Sequence, residues 1–257
     1  MATARTNLFS EARREPPEPL ETPGRVLAIA AHPDDTEFGA GGTLAKWAGA
    51  GTEVSILVAT DGSKGTWDPA LDPDELVERR RVETRAAAEV LGATGEVVFL
   101  DHVDGELRHS PALQEELASW IRRLRPEVVL SWDPWRRYML HPDHREIGWG
   151  ACDAVVAARD HLFFPHQLDD GLTKHRPDAI LLWAADEPDY WEDVSGTFDR
   201  KIGALLCHSS QTETTMQNAH TDEEGLEQFS QRVRDWCASM GEPVGLPLAE
   251  SFKLLRP

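Results

Sequence analysis

The sequence predicts an α/β fold: a mainly parallel sheet of strand order 3-2-1-4-5, flanked by helices as a three-layer sandwich. Short apolar segments alternate with segments of helical character along most of the chain. The apolar segments are nearly continuous, which is typical of parallel strands covered on both faces. A helix between consecutive parallel strands makes a right-handed crossover, and a doubly wound sheet follows from that pattern.

Six segments have the composition of strands. The first is almost wholly apolar, and the last is short. The predicted strands are Arg25–Ala31, Thr52–Thr60, Glu96–Leu100, Glu127–Trp132, Ala179–Trp183 and Trp191–Ser195.

Helices are expected between and after these strands. Gly51 and Gly92 mark two helix ends, and Ser110 followed by Pro111 marks a helix start. The predicted helices are Gly42–Ala50, Asp74–Leu91, a helix that begins at Ser110, Asp143–Arg159, Phe198–Leu206 and Glu223–Met240.

Length and composition predict one domain with a mobile arm. The first segment, residues 1–24, is rich in Glu and Pro and is interpreted as a flexible arm, because it lacks the apolar region of a signal peptide. Residues 25–257 are predicted to form a single domain. The three cysteines have no CxxC spacing, so free thiols in a reducing, cytoplasmic setting are expected.

The formal charge of −19 argues against nucleic acid as a partner, because a polyanion needs Lys and Arg. No apolar run reaches the roughly 18 residues of a membrane span, so no membrane partner is expected. A small molecule is the predicted partner, and assembly as a homo-oligomer stays open.

Two clusters of potential metal ligands follow predicted strands. His32-Pro33-Asp34-Asp35 follows the first strand, and His141-Pro142-Asp143-His144 follows the fourth. In a doubly wound sheet these two strand ends border the crevice where ligands bind. Each cluster alone is also compatible with a turn at a helix start, but their coincidence at one crevice favours a single metal site.

A catalytic zinc ion takes three protein ligands and keeps one position open. His32 and Asp35 lie three residues apart on a turn and are both expected to face the ion. Asp34 must point elsewhere and is available for proton transfer. One of His141 and His144 completes the ligand set, and the other is left as an acid or oxyanion stabiliser.

A phosphate-binding glycine loop is the competing interpretation of the first cluster. Gly39, Gly41 and Gly42 begin well past Ala31, whereas a dinucleotide fingerprint follows its strand directly. The intervening carboxylates would repel a pyrophosphate. The glycines are therefore expected to let the chain pass close to the metal loop and to start the helix.

The chain resembles the LmbE-like (PIG-L-type) zinc-dependent N-acetylglucosamine deacetylases, from about Arg25 to its C-terminus. The motifs that carry the resemblance are AHPDDTEFGAGGTLAKW (31–47), ATDGSKG (59–65), RRVETRAAAEVLG (80–92), DGEL (104–107), RPEVVLSWDP (125–134), HPDH (141–144) and HSSQ (208–211).

The resemblance implies a Rossmann-like fold and zinc held by His32, Asp35 and His144. It also implies Asp34 as general base, His141 as assisting acid, and removal of an acetyl group from a glucosamine unit in a small conjugate. Asp143 is expected to hold His141 in its charged form. Zinc is the expected cofactor, with Fe²⁺ or another divalent ion as the alternative. An amidase, a non-haem iron enzyme with the same triad and a non-catalytic binding protein are the other hypotheses.

Four residues are candidate substrate contacts. Arg80 matches the substrate-contacting arginine of the family, although it also belongs to a charged run. Asp104 is a candidate for sugar hydroxyls, Trp135 for stacking on a sugar ring, and His208 for approach to the pocket. Where some relatives have a tyrosine two residues before the first His of HPDH, this chain has Met139, with Tyr138 one residue earlier.

Overall fold

The computed structural model describes residues 20–216 and 222–257. Most of the predicted arm, residues 1–19, lies outside this part. Its last residues contact the domain: the Leu20 amide donates to the Tyr190 hydroxyl at 3.2 Å, and Thr52 Oγ1 donates to the Pro23 carbonyl at 2.6 Å. Within the described ranges, no helix combines the length and apolar character needed to cross a bilayer.

A seven-stranded sheet of order β3-β2-β1-β4-β5-β7-β6 forms the centre of the fold. The predicted order of the first five strands, 3-2-1-4-5, is confirmed, and these strands pair in parallel. The strands are β1 (Arg25–Ala30), β2 (Glu53–Thr60), β3 (Val97–His102), β4 (Val128–Trp132), β5 (Ala179–Trp183), β6 (Tyr190–Asp193) and β7 (Ala249–Leu255).

The seventh strand was not predicted. β7 runs antiparallel to both β5 and β6, and it separates them in the sheet. Its sequence AESFKLL contains Glu250, Ser251 and Lys253, so it lacks the apolar character of the other central strands. Glu250 is nevertheless fully buried, because a buried lysine pairs with it.

Seven α-helices pack on the sheet in the described part of the chain. Apolar residues on one face of the sheet pack with α3 and α4, and those on the other face pack with α1, α2 and α6. The helices are α1 (Asp35–Gly49), α2 (Pro73–Leu91), α3 (Pro111–Leu124), α4 (Pro142–Arg159), α5 (Pro165–Asp169), α6 (Phe198–Leu206) and α7 (Glu223–Gly241). The short α5 was not predicted.

Helix α1 begins at Asp35 instead of the predicted Gly42. Its glycines weaken the helix signal in the sequence, because glycine disfavours helix interiors. They are used for close packing: a Cβ on Gly39 would lie 2.5 Å from the Trp183 ring, and one on Gly42 would lie 2.7 Å from Val194. The predicted close approach is therefore found, but it is to Trp183 and Val194 and not to the metal loop, and these glycines lie inside the helix instead of at its start.

A fully buried ion pair joins α1, α6 and β7. Lys201 Nζ lies 2.6 Å from Glu250 Oε1 and also donates to the carbonyls of Glu37 and Phe38. The Glu250 carboxylate accepts from the amides of Gly42 and Thr43 at 2.9 and 2.7 Å. Both charges are thus hydrogen-bonded to the helix that carries the first ligand cluster.

Replacement of Lys201 by Met is expected to lower the free energy of unfolding by about 3–5 kcal/mol, because it leaves Glu250 buried without its cation. The measurement is urea denaturation. Lys64→Met is the matched control: Lys64 pairs with Glu106, and both side chains are more than half exposed, at 53% and 63%. This control should cost much less, because solvent screens an exposed pair. Equal losses of unfolding free energy in the two variants would contradict the stabilising role of the buried Lys201–Glu250 pair.

Candidate metal centre

The ends of β1 and β4 bring the two ligand clusters together. The chain leaves β1 at His32 and turns at Asp34, whose φ of 101° is left-handed and uncommon for a residue with a side chain. The second cluster begins at His141, the residue just before α4. The structure thus brings the two clusters into contact at the strand ends where the site was predicted.

Three side chains from the two clusters converge on one point. His32 Nδ1 lies 3.1 Å from His144 Nε2 and 3.5 Å from Asp35 Oδ2, and His144 Nε2 lies 3.3 Å from Asp35 Oδ1. Ligand atoms about 2.0–2.1 Å from a tetrahedral zinc ion are themselves roughly 3.3–3.4 Å apart. The distances from His144 Nε2 to His32 Nδ1 and to Asp35 Oδ1 are therefore close to those between ligand atoms around a divalent metal ion.

His141 also lies within reach of this point. His32, His141 and His144 each have one ring nitrogen that lies within 4.8 Å of the nitrogens of the other two. The His141 ring stacks on that of His144, with the centroids 4.6 Å apart. Its Nδ1 is buried and without a hydrogen-bond partner among the described residues. Burial first, then the charges of His32 and His144, lower the pKa of His141.

The Asp35 carboxylate is fixed by three N–H donors. Its Oδ2 accepts from the amides of Ala31 and His32 at 3.0 and 2.9 Å, and from Trp132 Nε1 at 2.9 Å. Burial alone would raise the pKa of Asp35, but the charge and hydrogen bond of His144 and the hydrogen bond of His32 hold it well below its usual range. The group is thus kept as a carboxylate, the form that binds metal.

Trp132 contacts two of these side chains, Asp35 and His144. Its indole stacks on the His144 ring with the centroids 3.8 Å apart, while its Nε1 donates to Asp35. The residue is the last of β4, so the sheet itself orients both groups.

The second nitrogen of His32 faces two carboxylates. Its Nε2 lies 3.1 Å from Asp143 Oδ2 and 3.3 Å from Asp104 Oδ1. Asp143 also accepts from the amides of Gly105 and Leu107. A carboxylate behind a histidine fixes its tautomer and orients the other nitrogen toward a metal. Asp143 was predicted to hold His141 in its charged form. Its hydrogen bond goes to His32, but it also lies within 4.8 Å of a His141 nitrogen, and its charge raises the pKa of His141 against the larger effect of burial.

Asp34 is buried beside the ligands. Arg80 Nη2 lies 3.5 Å from Asp34 Oδ2 and donates to the Pro33 carbonyl at 2.6 Å, and Arg80 Nη1 donates to the Gly62 carbonyl at 3.0 Å. Asp34 Oδ2 has no hydrogen-bond partner in the described chain. Burial raises the pKa of Asp34, although the charge of Arg80 opposes this. A carboxylate with a raised pKa, one of whose oxygens accepts no hydrogen bond, is suited to accept a proton.

These residues line one open cavity of about 490 Å³. Of the predicted substrate contacts, Arg80 and Asp104 face it. No role was predicted for the residues of the remaining wall, because they lie in loops and do not have the side chains that typically bind metal. That wall consists of Lys64, Gly65, Trp67, Gly105, Gln211, Thr214 and Thr215.

Two predicted substrate contacts lie elsewhere. His208 is fully buried, with its Nε2 3.5 Å from Glu37 Oε2, and it does not line the cavity. Trp135 is 53% exposed and lines a different cavity. Neither Tyr138 nor Met139 lines the cavity at the metal centre, and Tyr138 is 93% exposed.

The neighbouring HSSQ turn is held by α2. Glu83 accepts from Ser209 Oγ, from the Ser210 amide and from Ser210 Oγ at 2.9, 2.8 and 2.6 Å. Gln211 Nε2 donates to the Gly65 carbonyl at 3.1 Å, which joins two walls of the cavity. The motif therefore contributes Gln211 to the site, and not the predicted His208.

A family model described as PIG-L, GlcNAc-PI de-N-acetylase, matches residues 27–155. The chain belongs to this family. Within the PIG-L family, it is 38% identical over 194 residues to a diacetylchitobiose deacetylase of Thermococcus kodakarensis, a match that covers 76% of this chain and 72% of that protein. It is 29% identical over 211 residues to a 4-oxalmesaconate hydratase of Pseudomonas putida, covering 75% and 76%.

A solved structure supports the same placement. The N,N′-diacetylchitobiose deacetylase of Pyrococcus horikoshii, complexed with its inhibitor MPG, aligns with a TM-score of 0.82 at 31% identity. The alignment covers 91% of this chain and 84% of that one. The resemblance to the PIG-L-type deacetylases and the α/β fold are thereby confirmed.

Replacement of Trp132 by Phe is expected to weaken metal binding about 10- to 100-fold, because Asp35 loses one of its donors. Competition with a chromophoric chelator measures the affinity. Trp183→Phe is the matched control: Trp183 pairs with Trp132 in the sheet, but its Nε1 has no hydrogen-bond partner among the described residues. The two variants losing affinity equally would show that indole packing, and not the Nε1 donor, matters.

Metal affinity is expected to rise with pH through and beyond the ordinary pKa of histidine. Burial would lower the pKa of His32, but Asp104, Asp143 and Asp35 hold it well above the usual value, so a proton competes with the metal there. Below that raised pKa each bound ion must displace the proton, and above it the competition ends. Chelator competition between about pH 6 and about pH 9 tests this expectation. A constant affinity over that range would contradict it.

Proposed function

We propose that this protein is a metal-dependent N-deacetylase that acts on an N-acetylglucosamine-type sugar or a small conjugate of it. One observation carries the proposal: Asp34, a buried carboxylate beside Arg80, lines the same cavity as the His32, Asp35 and His144 ligand set. A site that only bound metal would not need this second acid. The identity to a diacetylchitobiose deacetylase supports the amino-sugar substrate.

In this proposal His32, Asp35 and His144 hold a zinc ion. The 3.1 Å between His144 Nε2 and His32 Nδ1 and the 3.3 Å between His144 Nε2 and Asp35 Oδ1 support this set. A nitrogen of His141 also lies within 4.8 Å of the other two histidines, and its role as the assisting acid rests on the family resemblance. Zinc at this position would polarise the acetamide carbonyl and lower the pKa of a bound water. Fe²⁺ or another divalent ion with the same ligands is the alternative.

Asp34 takes the proton of the attacking water. Its raised pKa makes it a better base than an exposed carboxylate, and the Arg80 guanidinium holds its position. The Asp34 carboxylate lies beside Arg80, whereas the Asp35 carboxylate lies beside Trp132 and His144. The two adjacent acids therefore serve different purposes, one for the metal and one for the proton.

His141 faces the same cavity and assists the breakdown of the amide. Its lowered pKa makes its charged form a stronger acid, which readily gives a proton to the leaving nitrogen. An amine departs only after protonation, so either His141 or Asp34 must deliver this proton. The neutral ring can also hydrogen-bond the oxyanion that forms at the former carbonyl.

The substrate wall is built from Arg80, Asp104, Lys64 and Gln211. Asp104 accepts from the Lys64 amide at 3.1 Å, and Lys64 Nζ pairs with Glu106 at 2.9 Å. These groups surround the cavity with hydrogen-bonding atoms of both kinds. Such a lining suits a polyhydroxylated ligand better than an apolar one.

The activity is tested with a panel of N-acetylglucosamine, N,N′-diacetylchitobiose and N-acetylglucosamine linked to a polyol. Release of free amine and of acetate in equal amounts is the expected result. Two further arms test the alternatives: other amide conjugates for an amidase, and 4-oxalmesaconate for a hydratase. Turnover of these compounds alone would overturn the proposal.

Replacement of Asp34 by Asn is expected to lower kcat about 10²- to 10⁴-fold while the metal content stays unchanged, because the base is lost but the ligands remain. Asp35→Asn should lose the metal itself. Metal analysis of the purified variants and amine release measure the two effects. Asp170→Asn, at an exposed position after α5, is the control and should match the wild type. Full activity of Asp34→Asn would refute the role of Asp34.

A further inference from the structure

We propose that the protein carries a second binding site, which takes a protonated amino sugar in a cavity separate from the metal centre. This cavity has a volume of about 450 Å³ and shares no lining residue with the cavity at the metal centre. The loops after β4 and β5 and strand β7 form its walls. The residues that matter for recognition are Asp133, Trp135, Arg137, Asp186, Glu187 and Lys253.

Trp135 supplies an aromatic surface in this cavity. Its indole packs in a T-shaped arrangement on Trp149, with the centroids 4.7 Å apart. More than half of its surface, 53%, is nevertheless exposed. A ring that is held on one side and open on the other can stack on a sugar and can also attract an ammonium group.

Asp133 supplies a fixed carboxylate beside that indole. The residue is only 6% exposed, and its Oδ1 accepts from the Trp135 amide at 2.9 Å. No ion pair joins Asp133 to a cation within residues 20–216 and 222–257. A buried carboxylate with only this hydrogen bond is stabilised by a ligand that brings further donors.

The charges around the cavity favour a cation. Arg137 is already engaged by Asp186, which accepts from the Arg137 amide at 2.7 Å and lies 3.4 Å from Nε. Lys253 is engaged by Asp189. Asp133 and Glu187 form no ion pair among the described residues, although the charges of Lys253 and Arg136 act on Asp133. The lining as a whole has three carboxylates and two cations, and this excess of one negative charge favours a protonated amine over a neutral acetamide.

The ligand class follows from these groups together. The indole face, the fixed carboxylate and the remaining charges suit a ring that carries hydroxyl groups and one ammonium group. Glucosamine is the simplest compound of this kind. The lining of this cavity alone supports the second site, which therefore does not depend on the proposed deacetylase activity.

Calorimetric titration of the metal-free protein with glucosamine tests the proposal, with glucose and N-acetylglucosamine as comparison ligands. We expect saturable binding of glucosamine that is about fivefold or more tighter than that of either neutral sugar, because only the amine meets the excess negative charge. Binding should persist without metal, since the lining contains none of the proposed ligands. The absence of saturable glucosamine binding would overturn the site, and equal affinity for glucose would overturn its ligand class.

Three variants locate the bound sugar. Trp135→Ala should weaken glucosamine binding about tenfold, and Trp135→Phe should retain part of it, since a smaller ring still stacks. Glu187→Gln should reduce the preference for glucosamine over glucose. Trp67→Ala is the matched control, because Trp67 is an exposed indole of the other cavity. Loss of binding in Trp67→Ala with retention in Trp135→Ala would place the sugar at the metal centre and refute the second site.

Discussion

The carboxylate of Asp35 is the group on which the metal centre depends. It accepts three N–H groups, two from the end of β1 and one from the indole at the end of β4. Hydrogen bonds to a charged acceptor are stronger than neutral ones, and these three come from two neighbouring strands. The position of the carboxylate is thus set by the register of the sheet, and His32 and His144 are arranged around it.

Helix α1 must stay in place for Asp34 and Asp35 to keep their positions, and a buried ion pair provides this. In a regular helix the Gly42 amide would bond the Phe38 carbonyl. Here the amide donates to Glu250, and the carbonyl accepts from Lys201. Side chains from α6 and β7 therefore hydrogen-bond backbone groups of α1 and join the helix to both elements.

The sequence predicts the part of the site that depends on local pattern. His32, Asp34, Asp35, His141 and His144 follow two apolar strands, and the topology of such sheets brings these strand ends together. Strand β7 could not be predicted, because a glutamate such as Glu250 is expected on the surface when its partner Lys201 is not known. The same reason applies to His208, whose burial against Glu37 depends on how α6 packs on α1.

The hydrogen bonds from α1 to Glu250 also constrain the order in which a newly made chain can fold. A ribosome completes the HPDD segment and the whole parallel sheet long before it reaches β7. Until then Lys201 has no carboxylate partner, and the amides of Gly42 and Thr43 have no acceptor on Glu250. The contacts that join α1 to Glu250 and Lys201 can therefore form only after β7 has been made.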